Sequence, residues 1–91
     1  MVNPTQQFGI DSENAAAVYL KHAGYRIVAR NYRNAMGEID IIARDGGTLV
    51  FVEVKARRSP RFGSAKTAVT HRKMARLARA AMLYLKETGQ F

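Results

Sequence analysis

Residues 37–55 read GEIDIIARDGGTLVFVEVK, two largely apolar runs on either side of the tetrapeptide DGGT. Short loops that contain Asp-Gly or Gly-Gly between such runs are typical of β-hairpins. The sequence therefore predicts an antiparallel hairpin with strands at 38–44 and 49–55.

The register of this hairpin follows from its turn. A two-residue turn at Gly46 and Gly47, or a four-residue loop that also includes Asp45 and Thr48, gives the same cross-strand pairs. On one face all partners are apolar, and these pairs are Ile39 with Val54, Ile41 with Val52, and Ala43 with Val50. A three-residue loop would shift the pairing by one residue and mix apolar with charged partners, which a sheet with a buried face disfavours.

On the opposite face, this register places Asp40 across from Glu53 and Glu38 across from Lys55. Directly opposed side chains have Cβ atoms about 4.5–5.5 Å apart, and like charges at that distance destabilise a sheet. Two such carboxylates need a cation, a shared proton or solvation, and their oxygens suit Mg²⁺ or Mn²⁺. Lys55 points to the same face and is placed to stabilise charge on a phosphoryl group. The alternative is an ordinary solvated hairpin face with Glu38 and Lys55 as an ion pair.

Helices are predicted on both sides of this hairpin. The first spans Pro4–Ala23, because Asn3 is a suitable N-cap and Gly24 a suitable stop. Its apolar stripe, at offsets of three and four, includes a carboxylate, and its members are Ile10, Glu13, Ala17 and Leu20. A second helix is predicted at 70–87, with a buried stripe at Met74, Leu77, Ala78, Ala81 and Leu85.

A further strand is predicted at 25–31, directly before the hairpin. The element order is then helix, three strands and helix, and short connections between consecutive strands favour an antiparallel meander. The predicted fold class is α/β (α+β), in one domain that covers residues 1–91, since 91 residues allow a single small core.

The charge of the chain is concentrated in its second half. The net charge is +8, and the stretch from Lys55 to Arg79 contains no Asp or Glu. Such a surface is typical of phosphate binding, and the residues predicted to contact nucleic acid are Arg57, Arg58, Arg61, Arg72, Lys73, Arg76 and Arg79. Two alternatives stay open: a basic surface that only keeps the protein soluble, and a surface that binds an acidic protein partner.

Targeting and redox features of the sequence are few. There is no cysteine, which excludes disulfides and thiolate metal sites. No apolar run approaches the roughly 20 residues that a membrane span needs, and the N-terminus lacks the pattern of a signal peptide. We therefore expect a cytoplasmic protein with no membrane partner.

The strings GEIDIIA and LVFVEVKAR, in this order and spacing, resemble the YraN-like bacterial proteins. The resemblance extends from about Phe8 to Leu85. That family is assigned to the PD-(D/E)XK, or restriction-endonuclease-like, nuclease superfamily, whose fold and motifs are similar to those of archaeal Holliday-junction resolvases. The resemblance implies that Asp40 and Glu53 bind Mg²⁺ or Mn²⁺, that Lys55 is the catalytic lysine, and that Glu13 completes the site.

The sequence departs from the family pattern at one point, and the resemblance implies a function. The family usually continues past the second helix into at least one more strand, whereas this chain ends at Phe91. Two alternatives are then expected: a shortened protein or fragment, or a homodimer in which another chain completes the sheet. The expected function is a metal-dependent endonuclease that cleaves nucleic acid, DNA rather than RNA, and in particular structured or branched DNA. The alternative is a non-catalytic nucleic-acid-binding module with the same fold.

Overall fold

The computed structural model describes residues 2–54 and 71–90, with side chains in the second range from residue 74 onward. The elements in chain order are α1 (Pro4–His22), β1 (Arg26–Asn34), β2 (Gly37–Asp45), β3 (Thr48–Val52) and α2 (His71–Glu87). The three strands form one antiparallel sheet in the order β1-β2-β3. The predicted helix, three-stranded meander and helix are confirmed. Neither helix is long and apolar enough to cross a membrane, within the residues that the structure describes.

Helix α1 begins and ends where its caps predict. The Asn3 side chain accepts a hydrogen bond from the Gln6 amide, and the Gln6 side chain accepts one from the Asn3 amide. This reciprocal capping box satisfies two amide groups that the first helical turn leaves without partners. At the other end, Gly24 adopts φ +99°, a left-handed conformation that glycine allows without steric strain.

The predicted hairpin register is confirmed wherever β2 and β3 are paired. Ile41 lies across from Val52, and Arg44 lies across from Leu49. Strand β3 ends at Val52, earlier than the predicted end at residue 55. The predicted pair of Asp40 with Glu53 therefore falls just beyond the last pair of the ladder, Ile41 with Val52.

The sheet has an apolar core on each face. On the α2 face, the buried residues are Ile39, Ile42, Ala80 and Tyr84. On the α1 face, they are Ala17, Ile41 and Ala43, with Leu20 and Val52 packed against them. Ile10 is 42% exposed, so the predicted stripe of α1 reaches the core only at its C-terminal half.

The alternation of β2 between the two cores breaks at Asp40. Ile39 was predicted to share the face of Ile41, but it packs with α2 while Ile41 packs with α1. The neighbouring pairs place Asn31 of β1 across from Asp40, and Asn31 has φ +52°. Since a left-handed residue reverses the usual side-chain alternation, both strands change faces at this level. Asp40 lies at the crossing point between the two layers.

The predicted buried stripe of α2 is right at three of its five residues and wrong at Met74 and Ala78. Met74 and Ala78 are exposed, while Ala80 and Tyr84 are buried. Leu77, Ala81 and Leu85 are partly buried and pack on the core as predicted. The ring of Tyr84 makes edge-to-face contacts with Tyr32 and Phe51, at centroid distances of 5.1 Å and 5.9 Å. These aromatic contacts, which the helical period alone does not show, set the rotation of α2 on the sheet.

Candidate functional site

The site is organised around the carboxylate of Asp40. Asp40 is half-buried, and its Oδ2 accepts a hydrogen bond of 2.8 Å from the backbone N–H of Val54. Val54 is the residue between Glu53 and Lys55, so this bond holds the segment after β3 against β2. Asp40 and Glu53 line the same cavity, which has a volume of about 210 Å³.

The electrostatics of this cavity are set by the carboxylates around Asp40. Burial raises the pKa of the Asp40 carboxyl above its ordinary value, and the negative charges of Glu13, Glu53 and Glu38 raise it further. The hydrogen bond from Val54 acts in the opposite direction because it stabilises the charged form. The negative charges of carboxylates on α1, β2 and the segment after β3 therefore all act on Asp40.

Glu13 approaches Asp40 from the opposite side, on helix α1. Its side chain is only 15% exposed and forms an ion pair with Arg30, 3.2 Å from Arg30 Nη2 to Glu13 Oε1. The same Nη2 donates a hydrogen bond of 2.6 Å to Asn14 Oδ1. A second cavity, of about 440 Å³, is lined by both Glu13 and Asp40, and by Asn31. Arg30, which the sequence analysis did not identify, thus fixes the helix carboxylate beside the strand carboxylate.

Glu38 has a cation partner on the neighbouring strand. Arg33 Nη2 donates to Glu38 Oε2 at 2.6 Å, with both side chains more than half exposed. The alternative pairing of Glu38 with Lys55 involves a residue outside the described ranges. Exposed ion pairs contribute little to stability, so the Arg33–Glu38 pair can exchange its partners.

The structure places only part of the predicted basic surface. Arg76 lines the cavity of Asp40 and Glu53, and Arg79 is exposed on α2. The side chains of Arg72 and Lys73 lie outside the described ranges, and so do Lys55, Arg57, Arg58 and Arg61. A basic side chain therefore lines the same cavity as the carboxylates of Asp40 and Glu53.

The carboxylates of this site can be compared with the ligand sets that metal ions require. Within residues 2–54 and 74–90, no group of three or more His, Cys, Asp or Glu side chains is arranged to hold a metal ion. Mg²⁺, however, is commonly held by one or two carboxylates together with water and substrate phosphates. Asp40 and Glu53 fit that arrangement, since they offer two hard oxygen donors at one open cavity. The residues fit a site that substrate completes, not a closed protein cage.

Comparison with known sequences places the chain. The sequence model of the uncharacterised protein family UPF0102 matches residues 12–91. The chain belongs to this family. It is 54% identical over 90 residues to a UPF0102 protein of Desulfosudis oleivorans. The aligned residues make up 99% of this chain and 73% of that protein. A UPF0102 protein of Symbiobacterium thermophilum is 55% identical over 85 residues, 93% of this chain and 72% of the relative.

Proposed function

We propose that this UPF0102 protein is a metal-dependent endonuclease of the PD-(D/E)XK type, which hydrolyses phosphodiester bonds in nucleic acid. The observation that carries the proposal is the hydrogen bond from Val54 to Asp40. It brings the aspartate of β2 against Glu53 and Val54, and Lys55 follows them in the sequence. The PD-(D/E)XK motif requires this juxtaposition of an aspartate with the segment that carries the second acid and the lysine. The carboxylates around Asp40 suit a metal cation. The net charge of +8 suits the phosphates of a nucleic acid.

The roles of the side chains follow from their positions. Asp40 and Glu53, aided by the Val54 carbonyl, would hold Mg²⁺ or Mn²⁺, and that metal supplies charge stabilisation and a more acidic bound water. Lys55 directly follows Val54 and supports the charge that develops on the phosphoryl group. Glu13, which Arg30 holds in place, completes the acidic side of the site. Arg76 presents a guanidinium toward the phosphate backbone.

The substrate that we propose is DNA, and structured or branched DNA in particular. The basic residues of the second half of the chain supply the contacts to phosphates, which fix a nucleic acid without reading its sequence. Binding through phosphates alone makes the shape of the substrate, and not its bases, the basis of selection. Junctions and flaps are therefore the substrates to compare with linear duplex.

The proposal is tested by cleavage of a panel of linear, flap and four-way-junction DNA with Mg²⁺ or Mn²⁺. We expect cleavage that disappears in Glu53→Ala and Lys55→Ala while DNA binding survives. Glu87→Ala and Lys86→Ala, at the far end of α2, are matched controls that should cleave like the parent protein. Unchanged cleavage in both Glu53→Ala and Lys55→Ala would show that the site is assigned wrongly.

One observation favours a second function, a nucleic-acid-binding module that does not cut. It is the absence, in the described part of the chain, of a three-carboxylate group that could hold a metal by itself. This alternative expects salt-dependent binding without turnover on any substrate of the panel. If about six phosphates are contacted, log K should fall against log salt with a slope of roughly −5.

A further inference from the structure

A third cavity, lined by two arginines, adjoins the cavity of Asp40 and Glu53. It lies between the β1–β2 turn and α2, and has a volume of about 340 Å³. Two arginines from different elements line it, Arg33 from β1 and Arg76 from α2, and among the described residues of its lining Glu38 is the one carboxylate. Glu38 and Arg76 also line the cavity of Asp40 and Glu53. The two cavities therefore share a wall, one side basic and the other acidic.

The frame of this basic cavity is fixed by Asn34. Its Nδ2 donates a hydrogen bond of 3.0 Å to the backbone carbonyl of Ala80 on α2, four residues after Arg76. Its Oδ1 accepts a bond of 2.9 Å from the Met36 amide within the turn. The Asn34 side chain thus forms one hydrogen bond within the turn and one to helix α2. The distance between the elements that carry the two arginines is set before any ligand binds.

Gly37 determines where the Arg76 side chain lies. A Cβ atom at position 37 would stand 3.1 Å from Cγ and 3.5 Å from Cδ of Arg76, and Gly37 has φ +152°. The aliphatic part of Arg76 therefore rests directly on the backbone of β2. With its stem at this position, Arg76 lines both cavities.

Arg33, on the opposite wall, forms an exposed ion pair with Glu38 that a competing anion can break. Its ion pair with Glu38 uses one guanidinium nitrogen, and a guanidinium has five N–H donors in a planar fork. Because the pair is largely exposed, an anion with two or more oxygens competes with Glu38 on favourable terms.

We propose that this cavity, bounded by Arg33 and Arg76, is a phosphate subsite. Its ligand is a phosphate group of the nucleic-acid strand next to the phosphate at Asp40 and Glu53, and this identity rests on the proposed function. The two guanidinium groups bind the non-bridging oxygens, and Glu38 releases Arg33 when the phosphate enters. The subsite holds the strand so that the following phosphodiester lies over the carboxylates.

Binding of inorganic phosphate to the intact chain tests the subsite directly. Phosphate is titrated in the presence of EDTA, and the backbone amides of Met36 and Gly37 and the side-chain Nε–Hε of Arg76 are followed by ¹H–¹⁵N NMR. We expect a saturable shift of these resonances, which sodium chloride at equal ionic strength does not reproduce. Each of Arg33→Gln and Arg76→Gln should weaken phosphate about tenfold, as loss of a charge-assisted hydrogen bond does.

Glutamine is chosen because it keeps carbons at the γ and δ positions that lie over Gly37. Arg26→Gln is the matched control, since Arg26 is exposed at the other end of β1 and loses the same charge. It should bind phosphate like the parent protein. Equal affinity in the parent and in the Arg33→Gln/Arg76→Gln double variant would overturn the subsite, as would shifts that chloride reproduces.

The subsite and the proposed function fail separately. Phosphate binding that depends on both arginines, in a protein that cleaves nothing, leaves the subsite standing and removes the nuclease. Cleavage with an unchanged KM in the double variant removes the subsite and leaves the nuclease. When both are correct, the double variant raises KM at least tenfold with little change in kcat.

Discussion

The two faces of the sheet differ in what holds their helices. Helix α2 is fixed by a dry aromatic and aliphatic core, in which Tyr84 contacts rings from two strands. Helix α1 buries Ala17, packs Ala16 and Leu20 against the same core, and makes polar contacts to β1 through Arg30 with Glu13 and Asn14. The α2 face therefore supplies most of the stability, and the α1 face supplies a carboxylate to the site. Stability and chemistry are divided between the two layers, and Asp40 lies where they meet.

The largest effect on this division is expected from Tyr84→Ala. Removal of a buried aromatic ring leaves a cavity between β1, β3 and α2, and should lower the free energy of unfolding by about 3–5 kcal/mol. Urea or thermal unfolding measures it. Tyr19→Ala is the matched control on α1, because Tyr19 is 72% exposed and should change stability by less than about 0.5 kcal/mol. Equal losses at the two tyrosines would contradict the division.

Gly37→Ala tests the contact between the β1–β2 turn and α2. An alanine at φ +152° beside the Arg76 side chain should destabilise the protein by about 1–3 kcal/mol. Gly47→Ala is the control, because a Cβ there meets nothing within 4 Å. If the two alanines behave alike in thermal unfolding, Gly37 does not constrain the turn.

Asp40→Asn should stabilise the protein at neutral pH. The raised pKa of Asp40 means that the folded chain binds this proton more tightly than the unfolded chain, so ionisation of Asp40 as the pH rises reduces stability. An uncharged Asn removes this penalty and keeps an acceptor for Val54. Because solvent screens a carboxyl that is only half-buried, we expect a gain of about 0.5–1 kcal/mol at pH 7, which shrinks as the pH falls toward about 4.

The control for Asp40→Asn is Asp45→Asn in the exposed hairpin turn, which should show no comparable gain. Added Mn²⁺ should reverse the order, because only the chain with both carboxylates gains stability from the bound metal by mass action. A lower melting temperature for Asp40→Asn across the whole pH range would contradict the electrostatic account.

The smallest effect is expected from Gly9→Ala on α1. Gly9 lies inside the helix, and a Cβ there meets nothing within 4 Å, so alanine should stabilise by about 0.5–1 kcal/mol. Gly24→Ala is the opposing comparison, because Gly24 has φ +99° and alanine is strained in that conformation. Thermal unfolding should therefore shift upward for Gly9→Ala and downward for Gly24→Ala. Shifts of the same sign at both positions would contradict the role assigned to backbone conformation in the stability of α1.

The sequence predicted the parts of the fold that depend on local rules. The turn residues and the apolar pairs of 41–45 with 48–52 specify one register, and the structure has that register. Asn3 and Gly24 likewise predicted the ends of α1 through capping and a left-handed stop. In each case a backbone requirement selects a small set of residue types, and the sequence displays them.

The parts that were missed depend on contacts between elements. Leu77, Ala81 and Leu85 are compatible with two rotations of α2, and only the fit of Tyr84 against Tyr32 and Phe51 decides between them. The change of faces at Ile39 depends on the left-handed Asn31 of another strand, which a pattern within β2 does not show.

For the site, the motif indicated Asp40, Glu53 and Glu13. In the structure, Asp40 lines one cavity with Glu53 and another with Glu13. Arg30 and Arg33 gave no signal beyond alternation in β1. Their importance comes from partners that are distant in the chain or on the neighbouring strand. Sequence patterns therefore found the acidic residues of the site more readily than the basic residues that hold them.

The central claim is that Asp40 and Glu53 form a metal-dependent cleavage site. The most direct test is the Mg²⁺-dependent cleavage rate of one four-way-junction DNA by the parent chain and by Glu53→Gln, with binding measured in parallel. We predict cleavage by the parent, loss of cleavage in Glu53→Gln, and similar affinity for the junction. Cleavage at equal rates by the two proteins, or cleavage that persists in EDTA, would contradict the claim.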